Sequence, residues 1–172
     1  MSSIVMSKLK LRGYTEADID RLVELANNKH VSKYLIDTFP YPYTQKDAIW
    51  WIQTGHNLNG STNFVIENDG IFVGGIGVTP SQGWKSHSAE IGYWIGEAYW
   101  NKGIGTDALF QMTDYAFHKL NLKKLFAPVI EGNSASMRIL EKCGYILEGT
   151  LNTEVFKNDQ FHNIHYYAKI YS

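Results

Sequence analysis

Cysteine is almost missing from this chain. Cys143 is the one such residue among 172, which excludes an internal disulfide framework and a multi-cysteine metal site. A surplus of charge is missing too: 16 Lys and Arg stand against 17 Asp and Glu, a formal net charge of −1. That balance lacks the electrostatic footprint of a protein that grips long nucleic acid, so no nucleic-acid partner is expected, although a local basic pocket stays open. No run approaches the roughly 18 apolar residues that a membrane-spanning helix needs. Residues 1–8 show neither a long apolar core nor the cleavage pattern of a secretory signal. The expectation is a soluble, cytoplasmic protein with no membrane partner. Internal repeats and low-complexity tracts are absent as well.

What is present is a core-forming composition. Hydrophobic residues make up 44% and charged residues 19%, too apolar for a disordered chain. The length fits one domain, residues 1–172 with a core over about 8–170. Periodicity predicts a strand at 8–12 and a helix capped by Thr15 that stops at Asn27-Asn28. Thr44, with Asp47 three residues on, caps a second helix that ends near Gly55. Strands follow at 63–67 and 71–78, joined by the Asn68-Asp69-Gly70 turn, and at 89–95. On that last strand Glu90, Gly92 and Trp94 share one face, and Ile91, Tyr93 and Ile95 the other. A helix from Gly103 to about Leu120, a strand at 125–130, a helix at 134–143 and two strands at 145–156 and 161–171 complete the chain. Pro128 predicts a break or an unpaired edge in its strand. The fold class is therefore α/β, with a mixed sheet.

Residues 92–106 are the most informative stretch. A strand runs into a short loop, and the loop opens a helix at Asn101-Lys102-Gly103-Ile104-Gly105-Thr106. A helix N-terminus presents unpaired N–H groups and partial positive charge, and glycine lets an anion approach them closely. Thr106 adds a hydroxyl and Lys102 a charge, so the ligand expected here is a phosphate or pyrophosphate. The spacing is neither a P-loop nor a dinucleotide fingerprint, and a plain tight loop before a helix would look similar.

This segment resembles the acyl-CoA pyrophosphate loop of the GCN5-related N-acetyltransferase (GNAT) superfamily, Gln/Arg-x-x-Gly-x-Gly/Ala, with Asn101 where Gln or Arg is usual. A second block, Asn133 to Tyr145, is similar to the Asn-x-x-Ser-x-Arg-x-x-Glu-Lys-x-Gly-Phe/Tyr of the ribosomal-protein-alanine acetyltransferase-like branch. The resemblance covers roughly residues 8–170. It implies a single-domain GNAT-like fold: six or seven strands, a splay between the fourth and fifth, and helices on both faces. It also implies acetyl-CoA as acyl-donor cosubstrate, no metal, and direct attack by a primary amine in a ternary complex.

The resemblance further implies site residues. Backbone groups of Trp94, Ile95 and Gly96 would hold the pantetheine arm, 101–106 the pyrophosphate, and Asn133 and Ser136 the arm again. Glu90 would be the base, directly or through a water, and the Ile95 N–H would meet the oxyanion. Many members use a Tyr as acid where this chain has Leu140; Ser136 and the neighbouring Tyr145 are the candidates left. Tyr41, Tyr43, Trp50 and Trp84 are candidate acceptor contacts, and one of Trp50 and Trp51 must be core. The acceptor would be a protein N-terminus or a small-molecule amine, and the protein a monomer or homodimer. A CoA-binding sensor without turnover is the alternative. Cys143 reads as a small buried hydrophobe, and His162 with His165 as too sparse for zinc.

Overall fold

In the computed structural model, residues 8–172 are described, and the reading of a missing secretory signal falls almost wholly outside them. The chain runs β1 (Leu9–Arg12), α1 (Ile19–Ala26), α2 (Lys29–Ser32), α3 (Gln45–Gln53), β2 (Thr62–Asn68), β3 (Ile71–Pro80) and β4 (Ser88–Ile95). It continues through α4 (Ile104–His118), β5 (Lys124–Ile130), α5 (Ser134–Lys142), β6 (Ile146–Lys157) and β7 (Gln160–Ile170). Seven strands make one mixed sheet in the order β1-β2-β3-β4-β5-β7-β6. All neighbours are antiparallel except β4 and β5.

Alternation along the strands sends apolar residues to both faces. One face buries Ile91, Leu109, Met112, Leu125 and Leu140 under α4 and α5. The other buries Leu22, Ala48, Ile52, Val65 and Phe72 under α1 and α3. Helices on both faces, the mixed sheet and the alternation of β4 agree with the sequence reading.

Two local details differ from it. The helix expected from Thr15 starts as a 3-10 turn over Glu16–Asp18, because the Asp18 carboxylate turns back to accept the Thr15 N–H at 2.8 Å. Arg12 then clamps Asp18 and Glu67, tying β1 to the turn and to β2. Burial alone would push the Asp18 carboxyl up, but Arg12 and Thr15 outweigh it and hold it below its ordinary value. The helix does stop before Asn27-Asn28, as expected, but Asn28 also begins a further short helix: its Oδ1 accepts the N–H groups of His30 and Val31 and caps α2.

The join between β4 and β5 positions everything else. Pairing covers only Ser88 to Glu90 against Lys124 to Phe126. Beyond Glu90 the strands separate, although β4 stays paired to β3 through Ile95 and β5 to β7 through Ile130. The Lys123 carbonyl accepts from Tyr171 and the Glu131 N–H donates to Asn163, both on the β7 side, so the alternate residues of β5, Pro128 among them, face the gap. A proline there forfeits no ladder bond.

Candidate active site

A cavity of about 670 Å³ fills the wedge left by the splay and continues beneath α3 and the 34–43 segment. Glu90 stands at the apex of the wedge, on the last residue pair before the strands part. Solvent reaches it through the cavity, yet protein surrounds it, and the loss of water pushes its carboxyl above the ordinary value. Among the described residues it has no hydrogen-bond or salt-bridge partner. A carboxylate tuned by desolvation alone suits proton transfer better than a structural ion pair would.

Strand parity divides β4 into two working surfaces. The Ser88 carbonyl accepts from Ser81, and the Gly96 N–H donates to Val73, so even-numbered backbone groups face β3. The Ile95 carbonyl instead takes the Trp100 indole N–H at 2.7 Å, on the opposite edge. N–H and C=O of one strand residue share an edge, so the amides of Ile91, Tyr93 and Ile95 face the gap. Of the three residues expected along the pantetheine arm, Ile95 thus offers its backbone to the gap. Gly96 directs its N–H to β3, and Trp94 presents its ring to the cavity on the α1–α3 face.

The loop that follows is strapped to the N-terminal helices. Arg21 donates to the Tyr99 hydroxyl at 2.7 Å, and Asn28 and His30 hold the Glu97 carboxylate. Asn101 and Gly103 take positive φ, 59° and 78°, which aims the chain into α4. The two glycines act differently. Gly103 faces open space, whereas a Cβ on Gly105 would meet Ile139 Cδ1 at 2.9 Å, so Gly105 serves the packing of α4 on α5. The first-turn N–H groups, Thr106 and the exposed Lys102 and Asn101 form an anion-compatible start to a 15-residue helix.

On the far side of the wedge, Asn133 caps α5 by accepting the Ser136 N–H at 3.3 Å. It still lines the cavity, and its side-chain NH2 is free to donate. Ser136 Oγ lies 2.8 Å from Tyr93 Oη. Tyr93 is the functional candidate that sequence reasoning passed over; its place on the core-facing side of β4 concealed a hydroxyl that reaches α5. Burial pushes that phenol well above its ordinary value, so it remains protonated.

Tyr145 is not brought to the cavity. Its hydroxyl bonds Thr113 at 2.8 Å inside the core, where Tyr145 is 2% exposed. Tyr43 and Trp50 line the cavity, whereas Tyr41 does not. Trp84 is 91% exposed on the β3–β4 turn, away from the cavity. Trp51 is partly buried, packed edge-on to Tyr14 against the α1–α3 core, and also lines the cavity; Trp50 is the more open of the pair. Cys143 is buried, its Sγ against the Thr106 carbonyl. Among the described residues no cluster of three or more His, Cys, Asp or Glu could hold a metal, and no helix is long and apolar enough to cross a membrane.

Comparison with known proteins places these features in context. The family model for the acetyltransferase (GNAT) domain matches residues 8–146. A spermidine N(1)-acetyltransferase of Escherichia coli K12 is 31% identical over 156 residues, 90% of this chain and 82% of that protein. The crystal structure of the spermidine N-acetyltransferase of Vibrio cholerae in complex with CoA and spermine superposes with a TM-score of 0.81 at 26% identity, covering 96% of both chains. RimL, a ribosomal L7/L12 alpha-N-protein acetyltransferase in complex with coenzyme A, reaches a TM-score of 0.85 at 22% identity, over 96% of both chains, a likeness of fold.

Proposed function

The chain belongs to the GNAT acetyltransferase family, and from that premise we propose that it moves the acetyl group of acetyl-CoA to a primary amine by direct attack in a ternary complex. The observation that carries this reading is convergence. The apex carboxylate of Glu90, the gap-facing amides of β4 and the Asn133–Ser136 turn all border one wedge, and the glycine-opened start of α4 follows β4 directly. Relatives that carry CoA in the same fold support the choice of donor.

The residues fit that donor. The α4 N-terminus suits a pyrophosphate, the splay edge suits an amide-bearing arm, and Asn133 offers a donor beside it. Glu90 accepts a proton from the incoming ammonium, directly or through water. The freed nitrogen lone pair then forms the new C–N bond at the thioester carbon, and the Ile95 N–H meets the oxyanion that develops. As the C–S bond breaks, its electron pair stays on sulfur, and the Ser136 hydroxyl, held by Tyr93, supplies a proton to the thiolate. The acetylated nitrogen gives up its remaining extra proton, which restores the Ser136 hydroxyl through water, and Glu90 releases the proton it took to solvent. Ser136 is preferred to Tyr145 for this role because its hydroxyl reaches the wedge.

Calorimetric titration with acetyl-CoA, with ATP and NAD as controls, tests the donor. Thiol release across an amine panel tests transfer. Micromolar binding of acetyl-CoA alone together with amine-dependent thiol release supports the reading. Binding without release from any amine favours a CoA-binding sensor, and no binding by folded protein overturns both.

A further inference from the structure

The acceptor half of the cavity sorts charge. Its lining contains two carboxylates, Asp47 and Glu90, and not one Lys, Arg or His. Asp47 stays ionised: hydrogen bonds from the Thr44 side chain and amide hold its carboxyl below the ordinary value. Lys46 acts on Asp47 from outside the lining. Eight of the lining residues are aromatic, and Phe39 braces Trp94 and Tyr43 at ring-centroid distances of 5.5 and 5.3 Å. The exposed Lys102, beside the α4 start, lies outside this cavity. Lys33, over the Tyr34 ring at 4.8 Å, and Lys157, whose Nζ donates to the Leu35 carbonyl, also touch lining residues without lining the cavity themselves. Among the lining side chains an anion therefore finds no cation, whereas an ammonium finds two carboxylates and ring faces.

The floor beside Glu90 opens at Gly92, with the Thr79 side chain opposite Glu90 and the Asn63 side chain lying over Gly77. Gly77 and Gly92 stand directly opposite each other in the β3–β4 register, and the space above Gly92 is open. A methylene chain or a flat ring can lie there with its nitrogen beside Glu90. A carboxylate on the carbon bearing that nitrogen would sit against Glu90 with no cation to pair it.

Resting on the transfer reading above, we infer that the acceptor is a small cationic alkyl- or arylalkylamine with no anionic group near its nitrogen, and that amino acids and phosphorylated amines are excluded by the chamber itself.

The test separates this inference from the transfer reading by measuring binding without turnover. With the donor site saturated by CoA, calorimetry compares tyramine with tyrosine and phenethylamine with phenylalanine. Each amine is expected to bind at least ten-fold more tightly than its carboxylated partner. Asp47→Asn is expected to shrink that ratio several-fold, and Trp50→Lys, which places a base in the lining, to shrink or reverse it. Gly92→Val is expected to abolish amine binding and leave CoA binding intact. Equal or tighter binding of the amino acids overturns the inference, as does failure of both amines to bind at millimolar concentration. Because Asp47 also caps α3, Trp50→Lys provides the independent reading if Asp47→Asn loosens that helix. Thiol release without preference for the uncarboxylated amines would sink this inference and keep acetyl transfer. Preferential amine binding without thiol release would do the reverse.

Discussion

Tyr93 Oη and Ser136 Oγ meet at 2.8 Å across the wedge, one from β4 and the other from the first turn of α5. The contact gives the serine hydroxyl a fixed partner at the mouth of the splay, so the two behave as one unit. Tyr93→Phe is expected to lower kcat by about 3- to 10-fold, the effect of one positioning hydrogen bond. Ser136→Ala should lower it further, and the double variant should fall no lower than Ser136→Ala alone. Steady-state rates of the four proteins check this; fully additive losses would show that the residues act separately.

Glu90, proposed above as the base, would make opposite demands on catalysis and stability. As a base it works when ionised, so kcat/KM should rise with pH, with a midpoint above the roughly 4.3 of a free glutamate, because burial raises its carboxyl. Glu90→Gln should cost about 10²- to 10⁴-fold in kcat/KM and remove that acid limb, with acetyl-CoA affinity unchanged. The sign for stability is reversed. A carboxyl whose folded-state pKa is raised binds protons more tightly when folded, so its contribution weakens as pH rises through that pKa. Glu90→Gln should therefore raise the melting temperature at neutral pH, and the gain should fade as pH falls toward the ordinary carboxylate range.

The two loop glycines should separate in thermal melts and in titrations. Gly103→Ala forces a side-chain-bearing residue to φ 78° at a cost of about 1 kcal/mol and reshapes the helix start, so acetyl-CoA affinity should drop. Gly105→Val drives methyl groups toward the tip of the partly buried Ile139 side chain, which can turn aside, so it should cost about 1 kcal/mol of stability and leave acetyl-CoA affinity less affected than Gly103→Ala does.

Trp50 and Trp51 are adjacent in sequence and opposite in consequence. Trp51→Ala should cost about 3 kcal/mol, since Trp51 packs on Tyr14 and the α1–α3 core. Trp50 is 49% exposed, so Trp50→Ala should leave the melting temperature nearly unchanged and raise KM for the amine. Denaturant melts and amine titrations distinguish the two.

Most of this architecture was legible because it follows from local chemistry. The alternation of β4, the proline at the splay and the glycine-opened helix are short patterns with one physical solution each. Contacts between distant residues were not. Tyr93 and Ser136 are 43 residues apart, and nothing in either neighbourhood announces that their hydroxyls meet. Trp50 and Trp51 sit on one helix whose apolar pattern is blurred by aromatics, so only the position of Tyr14 decides which packs on the core. Tyr145 and Trp84 were placed by residue type. A core partner, Thr113, claims the first, and a solvent-facing turn displays the second. The short α2 is illegible for a different reason: the Asn28 that follows the end of one helix is equally suited to cap the next.

The parity of β4 carries one further implication. A single stretch of extended chain keeps two ledgers on separate columns: even positions 90 and 94 shape the proposed acceptor chamber through their side chains and Gly92 through the lack of one, while odd positions 91, 93 and 95 turn their amides to the gap. Substitutions at even positions can retune the choice of amine without disturbing the donor side. Deleting one residue from this strand would swap the columns and destroy both surfaces at once. The same deletion at the exposed tip of the β6–β7 hairpin, Asn158-Asp159, would touch neither. Over evolutionary time β4, Glu90 apart, is thus freer to change its letters than its length.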